Sequence, residues 1–148
     1  MLSPAESSAL IIKHVADGVE IASKNRLPKI IIDIIAQHHG TTTTGYFLIR
    51  AKELGGEIDE AKFTYPGPVP QTKEAAIVML ADSCEAAVRS IEDKTEAKIE
   101  SMVRRIATER VNLGQFSQCN MTFEELEKVI KVITKTLGGY FHERIKYE

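Results

Sequence analysis

Along most of the chain, apolar residues recur every three to four positions, broken by short stretches rich in Gly, Pro and Thr, and no two-residue alternation competes with this helical period. Ser3-Pro4-Ala5-Glu6 offers an N-cap, a proline at the first helical position and a glutamate to close a capping box, so a helix is expected from Pro4 to about Lys24. A second should begin at Pro28, run through Ile30, Ile31, Ile32, Ile34 and Ile35, and stop at Gly40; the proline start, Lys29 and Asp33, and the glycine stop favour helix over strand. A third is expected from Thr44 to Leu54, ended by Gly55-Gly56. Three prolines and a glycine within Tyr65-Pro66-Gly67-Pro68-Val69-Pro70 then forbid regular structure.

Thr72 can cap a fourth helix reaching Ile91, almost wholly apolar from Ala75 to Ala81, a composition expected of a central buried helix. Ile99, Met102, Val103 and Ile106 fall at helical spacing within a fifth, from Thr95 to Leu113 before Gly114. Thr122 and Glu125 form a second capping box for a sixth helix to about Leu137, with Gly138-Gly139 expected to break or bend it before Tyr140 to Tyr147. The fold class is therefore all-α: a helical bundle of about six helices, expected to be one unit over residues 1–148.

Composition narrows the function. With 19 basic and 21 acidic residues interspersed and a net charge of -2, a nucleic acid polymer is not an expected partner. The two cysteines, Cys84 and Cys119, lack CxxC spacing, which argues against a zinc finger or disulfide framework and for a reduced compartment. No apolar run reaches the roughly 20 residues a membrane-crossing helix requires, so the chain itself is expected to be soluble.

Four features carry candidate chemistry. His38-His39-Gly40-Thr41 closes the isoleucine-rich helix; neighbouring helical residues diverge by about 100°, so both imidazoles can face one ion only if the backbone turns there, as Gly40 permits. Neutral imidazoles suit transition metals, although for the pair taken alone a solvated helix end is the more ordinary reading. Asp82 interrupts the most apolar helix, where a buried carboxylate needs a cation; a self-neutralising stripe of Asp82, Glu85 and Arg89 is the competing explanation. His14 shares a face with Leu10, Ile11, Gly18 and Ile21 and reads as either a core histidine or a ligand, whereas His142 has no ligand candidate near it.

Taken together, His14-Val15-x-Asp17-Gly18, His38-His39-Gly40-Thr41, the segment from Tyr65-Pro66-Gly67-Pro68 to Thr72-Lys73-Glu74, and Met79-Leu80-Ala81-Asp82-Ser83 with Glu85-Ala86-Ala87 and Arg89-Ser90 resemble the HD domain of the membrane-anchored seven-transmembrane HD phosphodiesterases that hydrolyse cyclic di-AMP. The ending, Tyr140-Phe141-His142-x-Arg144-Ile145-x-Tyr147, is similar to the close of that domain.

The resemblance implies two divalent transition metals in the intact domain, iron or manganese, with His14, His38 and His39 on the second and Asp82 on the first. The family's remaining ligands, an upstream histidine and the His-Asp doublet whose aspartate bridges the metals, have no counterpart here, since no histidine of this chain is followed by aspartate. The chain is thus expected to be an N-terminally truncated HD domain that holds one metal or none and is inactive by itself. Its parent is expected to act on a cyclic dinucleotide at the cytoplasmic face of a membrane, touching the membrane only through segments outside this chain. Tyr65, Lys73 and Arg89 lie within the matching motifs as candidate substrate contacts; each also has a structural reading, in the proline loop, a solvated first turn and a Glu85 ion pair respectively. A non-catalytic helical module that senses a nucleotide or mediates subunit contact is the alternative.

Overall fold

A computed structural model describes the backbone of residues 2–145 and the side chains of residues 2–142. Among the described residues there are six α-helices, one 3-10 turn and no strand beyond an isolated bridge between Thr43 and Thr64. The helices are α1 (Pro4–Lys24), α2 (Lys29–Gln37), α3 (Gly45–Leu54), α4 (Lys73–Ser90), α5 (Glu96–Asn112) and α6 (Phe123–Ile145), with the 3-10 turn at Glu60–Phe63. The chain is therefore all-α, organised as two compact units, Met1–Val69 and Pro70–Glu148.

In the first unit α1 packs against α2, α3 and the 3-10 turn. The Ser3–Glu6 capping box forms in both directions, and the helix buries Ser8, Val15 and Ala22, one residue every two turns. Gly18 serves close approach: a β-carbon there would sit 3.0 Å from Ile35 Cγ2 of α2. Thr44 precedes α3 without capping it through its side chain, because its hydroxyl is committed to Ser8 Oγ at 2.7 Å and to the Phe63 carbonyl. Leu10, Ile11, Ile21, Leu27, Ile30 and Ile31 remain exposed on α1, α2 and the turn between them.

The second unit is built on Leu80, Cys84 and Val88 of α4, Ile99, Val103, Ile106 and Ala107 of α5, and Ile130, Ile133, Leu137 and Phe141 of α6. Each large aliphatic residue buried there contributes about 1.5–3 kcal/mol. Arg104 ties α5 to α6, donating to Glu100 and, through both terminal nitrogens, to Glu127; Glu127 and then Glu100 hold the guanidinium still more firmly protonated.

Three expectations need correction. Helix α2 ends at Gln37 rather than continuing to Gly40. Helix α4 is not buried all round: Ala75, Ala76, Met79, Leu80, Cys84 and Val88 are buried, whereas Ile77, Val78, Ala81 and Asp82 are exposed. Helix α6 does not break at Gly138-Gly139 but runs on to Ile145. Leu137 and Phe141, one turn apart and both buried, hold it helical, which outweighs the roughly 1 kcal/mol that each glycine costs. The expected extension to Tyr147 lies outside the described residues.

Candidate metal centre

The site in the first unit starts from backbone geometry. Once α2 has ended, Gly40 N–H donates to Gln37 O at 2.9 Å and Thr42 N–H to His39 O at 3.1 Å, while Gly40 takes a positive φ of 51°. The chain leaves the helix between the two histidines, which lets adjacent side chains turn to one side. His14 reaches the same place from α1.

Two of the three rings are oriented by their own helices. His14 Nδ1 donates to the Ile11 carbonyl at 2.5 Å and His38 Nδ1 to the Ile35 carbonyl at 2.7 Å, each three residues earlier. A carbonyl only accepts, so Nδ1 carries the proton in both rings and, in the neutral imidazole, Nε2 presents a lone pair. Those Nε2 atoms face each other 3.3 Å apart. Two lone pairs so placed repel unless a cation lies between them. Donors about 2.05 Å from an ion and separated by a tetrahedral angle lie about 3.3 Å apart, so the observed spacing suits metal ligation.

His39 completes the set, its ring centroid 4.0 Å from that of His38 and 5.0 Å from that of His14. Each histidine offers one ring nitrogen, and the three lie within 4.8 Å of one another. The donor set fits a divalent transition metal: three neutral imidazoles, two with their tautomer fixed by a backbone carbonyl, and His14 exposed so that water or a ligand has access. Tyr65 lies against this cluster, stacked on His39 at 4.3 Å with the planes 18° apart.

Asp82, Lys73 and Arg89 belong to α4 in the second unit. Asp82 is exposed on α4 and, among the described residues, makes no hydrogen bond or ion pair, so the desolvation argument for a partner at that position does not hold. Lys73 donates to Glu125 at 2.6 Å. That contact, followed by the Thr122 backbone N–H, holds the Glu125 carboxyl below the usual glutamate range. Arg89 meets Glu85 at 3.6 Å. Tyr65 is buried, with its ring turned to the histidines. The residues that orient the site, Ile11 and Ile35 through their carbonyls, gave no sequence signal, because any residue supplies that group.

Comparison with known proteins decides what this arrangement belongs to: residues 4–87 match the HD domain family, a span that contains the three histidines, Tyr65 and Asp82. The chain belongs to the HD domain family. HD domains are metal-dependent phosphohydrolases, so the imidazole cluster sits in a family whose chemistry uses metal ions. The HD domain described here is similar to the cyclic-di-AMP phosphodiesterase PgpH of Bacillus subtilis (strain 168), 47% identical over 146 residues covering 99% of this chain and 20% of that protein. Its fold is similar to the crystal structure of the L. monocytogenes phosphodiesterase PgpH HD domain, with a TM-score of 0.88 at 44% identity over 95% of this chain and 66% of that one. The same HD domain in complex with cyclic-di-AMP gives a TM-score of 0.89 at 44% identity, over 94% and 65% of the two chains. The chain spans about a fifth of the length of these curated relatives. No described helix is long and apolar enough to cross a membrane.

Proposed function

We propose that this HD domain is part of a phosphodiesterase that hydrolyses cyclic di-AMP to the linear dinucleotide, with His14, His38 and His39 holding one divalent transition metal. The observation that carries this reading is the pair of Nε2 lone pairs converging at 3.3 Å, each with its opposite nitrogen engaged by a backbone carbonyl. A PgpH HD domain of the same fold binds cyclic-di-AMP in a crystal, which supports the substrate class. Asp82, an exposed carboxylate without a partner among the described residues, is the proposed ligand of a second ion, and imidazole and carboxylate donors suit iron and manganese. A metal ion bound by these residues lowers the pKa of a coordinated water and offsets the charge of the attacked phosphate.

The chain's own part in this chemistry is to hold three donors in place without reorganisation; the helix-internal hydrogen bonds of His14 and His38 and the stacking of Tyr65 on His39 contribute to this. We further propose that the 148-residue chain alone turns over little substrate, since the bridging aspartate of the family's His-Asp doublet has no counterpart in it. The longer parent would work at the cytoplasmic face of a membrane.

Metal content measured after loading with Fe(II) or Mn(II), for the wild type, His38→Ala and Asp82→Ala, tests the ligand assignment. His38→Ala should lose the ion held by the histidines, and Asp82→Ala any second equivalent. Unchanged metal content in both variants refutes it. Isothermal titration with cyclic di-AMP on the metal-loaded protein, alongside hydrolysis by a longer polypeptide that includes the preceding residues, separates the enzyme from a nucleotide sensor, which would bind without turnover.

A further inference from the structure

We infer that Tyr65 is a positioning residue for the metal centre: its ring is the plane against which the His39 imidazole is held ready to ligate. This inference rests on the metal reading proposed above and names a contact that orients the third ligand. His14 and His38 are each anchored through Nδ1 to a carbonyl of their own helix. His39 lies beyond the end of α2, where the helical ladder has stopped. It is flanked by two rings, His38 at 4.0 Å on one contact and Tyr65 at 4.3 Å on the other, and the Tyr65 contact is close to parallel at 18°.

The tyrosine is itself fixed. Its side chain is 7% exposed. Its backbone N–H donates to Thr42 O at 2.9 Å, Thr43 bridges Thr64, and Thr44 N–H donates to Phe63 O at 2.7 Å, so residues 42–44 and 63–65 are fastened together as a short antiparallel pair. Two residues further on, Gly67, at φ 82°, passes so near Thr41 that a β-carbon would lie 3.0 Å from Thr41 Cγ2. The turn that carries His39 and the proline loop that carries Tyr65 are thus one fastened assembly, and the loop's position becomes the ring's position. A buried ring, T-shaped to His14 at 6.1 Å and stacked on His39, offers a nucleotide base little surface. Tyr65 therefore acts through a ligand rather than on substrate.

Partners of ligating histidines typically alter metal affinity by ten- to a hundred-fold when removed. Tyr65→Phe keeps the stacking plane; Tyr65→Met fills most of the space without a flat face, which guards against a cavity that would merely unfold the protein. Two readouts are needed. Ring-proton resonances of His39, assigned among the four histidines by His39→Gln, report stacking without any ion present; they should be shifted upfield in the wild type and Tyr65→Phe and move downfield in Tyr65→Met. Mn(II) or Co(II) titration of the same proteins should show wild-type affinity in Tyr65→Phe and about tenfold weaker binding in Tyr65→Met. If Tyr65→Met binds metal as tightly as the wild type, or leaves the His39 resonances where they were, the inference is overturned. If the stacking responds as expected but even the wild type binds no ion, the metal reading itself fails, and the positioning role falls with it.

Discussion

Gly18→Ala probes how closely α1 and α2 must approach for the histidines to work together. The added β-carbon would lie 3.0 Å from Ile35 Cγ2, and an ordinary contact begins near 3.4 Å, so α2 must yield by about 0.4 Å at that point. Alanine in place of glycine inside a helix is worth about 1 kcal/mol, while overpacking costs about 1–3 kcal/mol, so the net change is a loss of about 0–2 kcal/mol. The functional effect should exceed the loss of stability. Ile35 is the residue whose carbonyl orients His38, and His14 lies one turn before Gly18, so the displacement widens the 3.3 Å gap between the two Nε2 atoms directly. A shift of about 0.4 Å uses up most of the roughly 0.5 Å within which such a site must be held, and metal affinity should fall by up to about tenfold. Thermal melting together with Mn(II) titration measures both effects. A variant that gains the full helical increment and binds metal as the wild type does would show that the close approach has no bearing on the site.

Other outcomes follow from the second unit. Nothing lies within 4 Å of a β-carbon at Gly138 or Gly139, so Gly138→Ala and Gly139→Ala should each stabilise α6 by about 1 kcal/mol, seen as a rise of about 2–4 °C in Tm; a fall would mean that α6 is not continuous there. Burial pushes the Cys84 thiol up to about 11, so iodoacetamide at pH 8 should modify Cys119 first and reach Cys84 only on unfolding, as peptide mapping would show. Lys73 holds the folded Glu125 carboxyl below its ordinary value of 4.5, so the pair's stabilisation is complete above that pH and disappears as pH falls through the lower folded value. Lys73→Met should therefore lower Tm at pH 7 and flatten the acid limb of the Tm–pH curve. A curve parallel to the wild type would discount the pair.

Much of the fold was legible because its signals are local. The Ser3–Glu6 and Thr122–Glu125 boxes, the Thr72 cap and the glycine stops after α3 and α5 each depend on a few neighbouring residues, and each forms as the residue types dictate. What failed depended on long-range packing. Gly138-Gly139 reads as a break until Leu137 and Phe141 are seen anchored in one core, and the apolar run of α4 reads as central until its packing shows one face in use. The site was legible to the same degree. Three histidines are visible in the sequence, and the structure brings them together; their tautomers come from carbonyls that carry no letter in the sequence, and the part played by Tyr65 appears only as a ring against a ring.

Because His14 and His38 are each steered by a carbonyl one turn back in the same helix, the geometry of each donor is stored in a four-residue piece of backbone rather than in the tertiary structure. Such a piece is portable. An apolar residue with histidine three positions later, transplanted to facing turns of an unrelated pair of helices, would carry its exposed Nε2 with it and leave the designer only the spacing between axes to set.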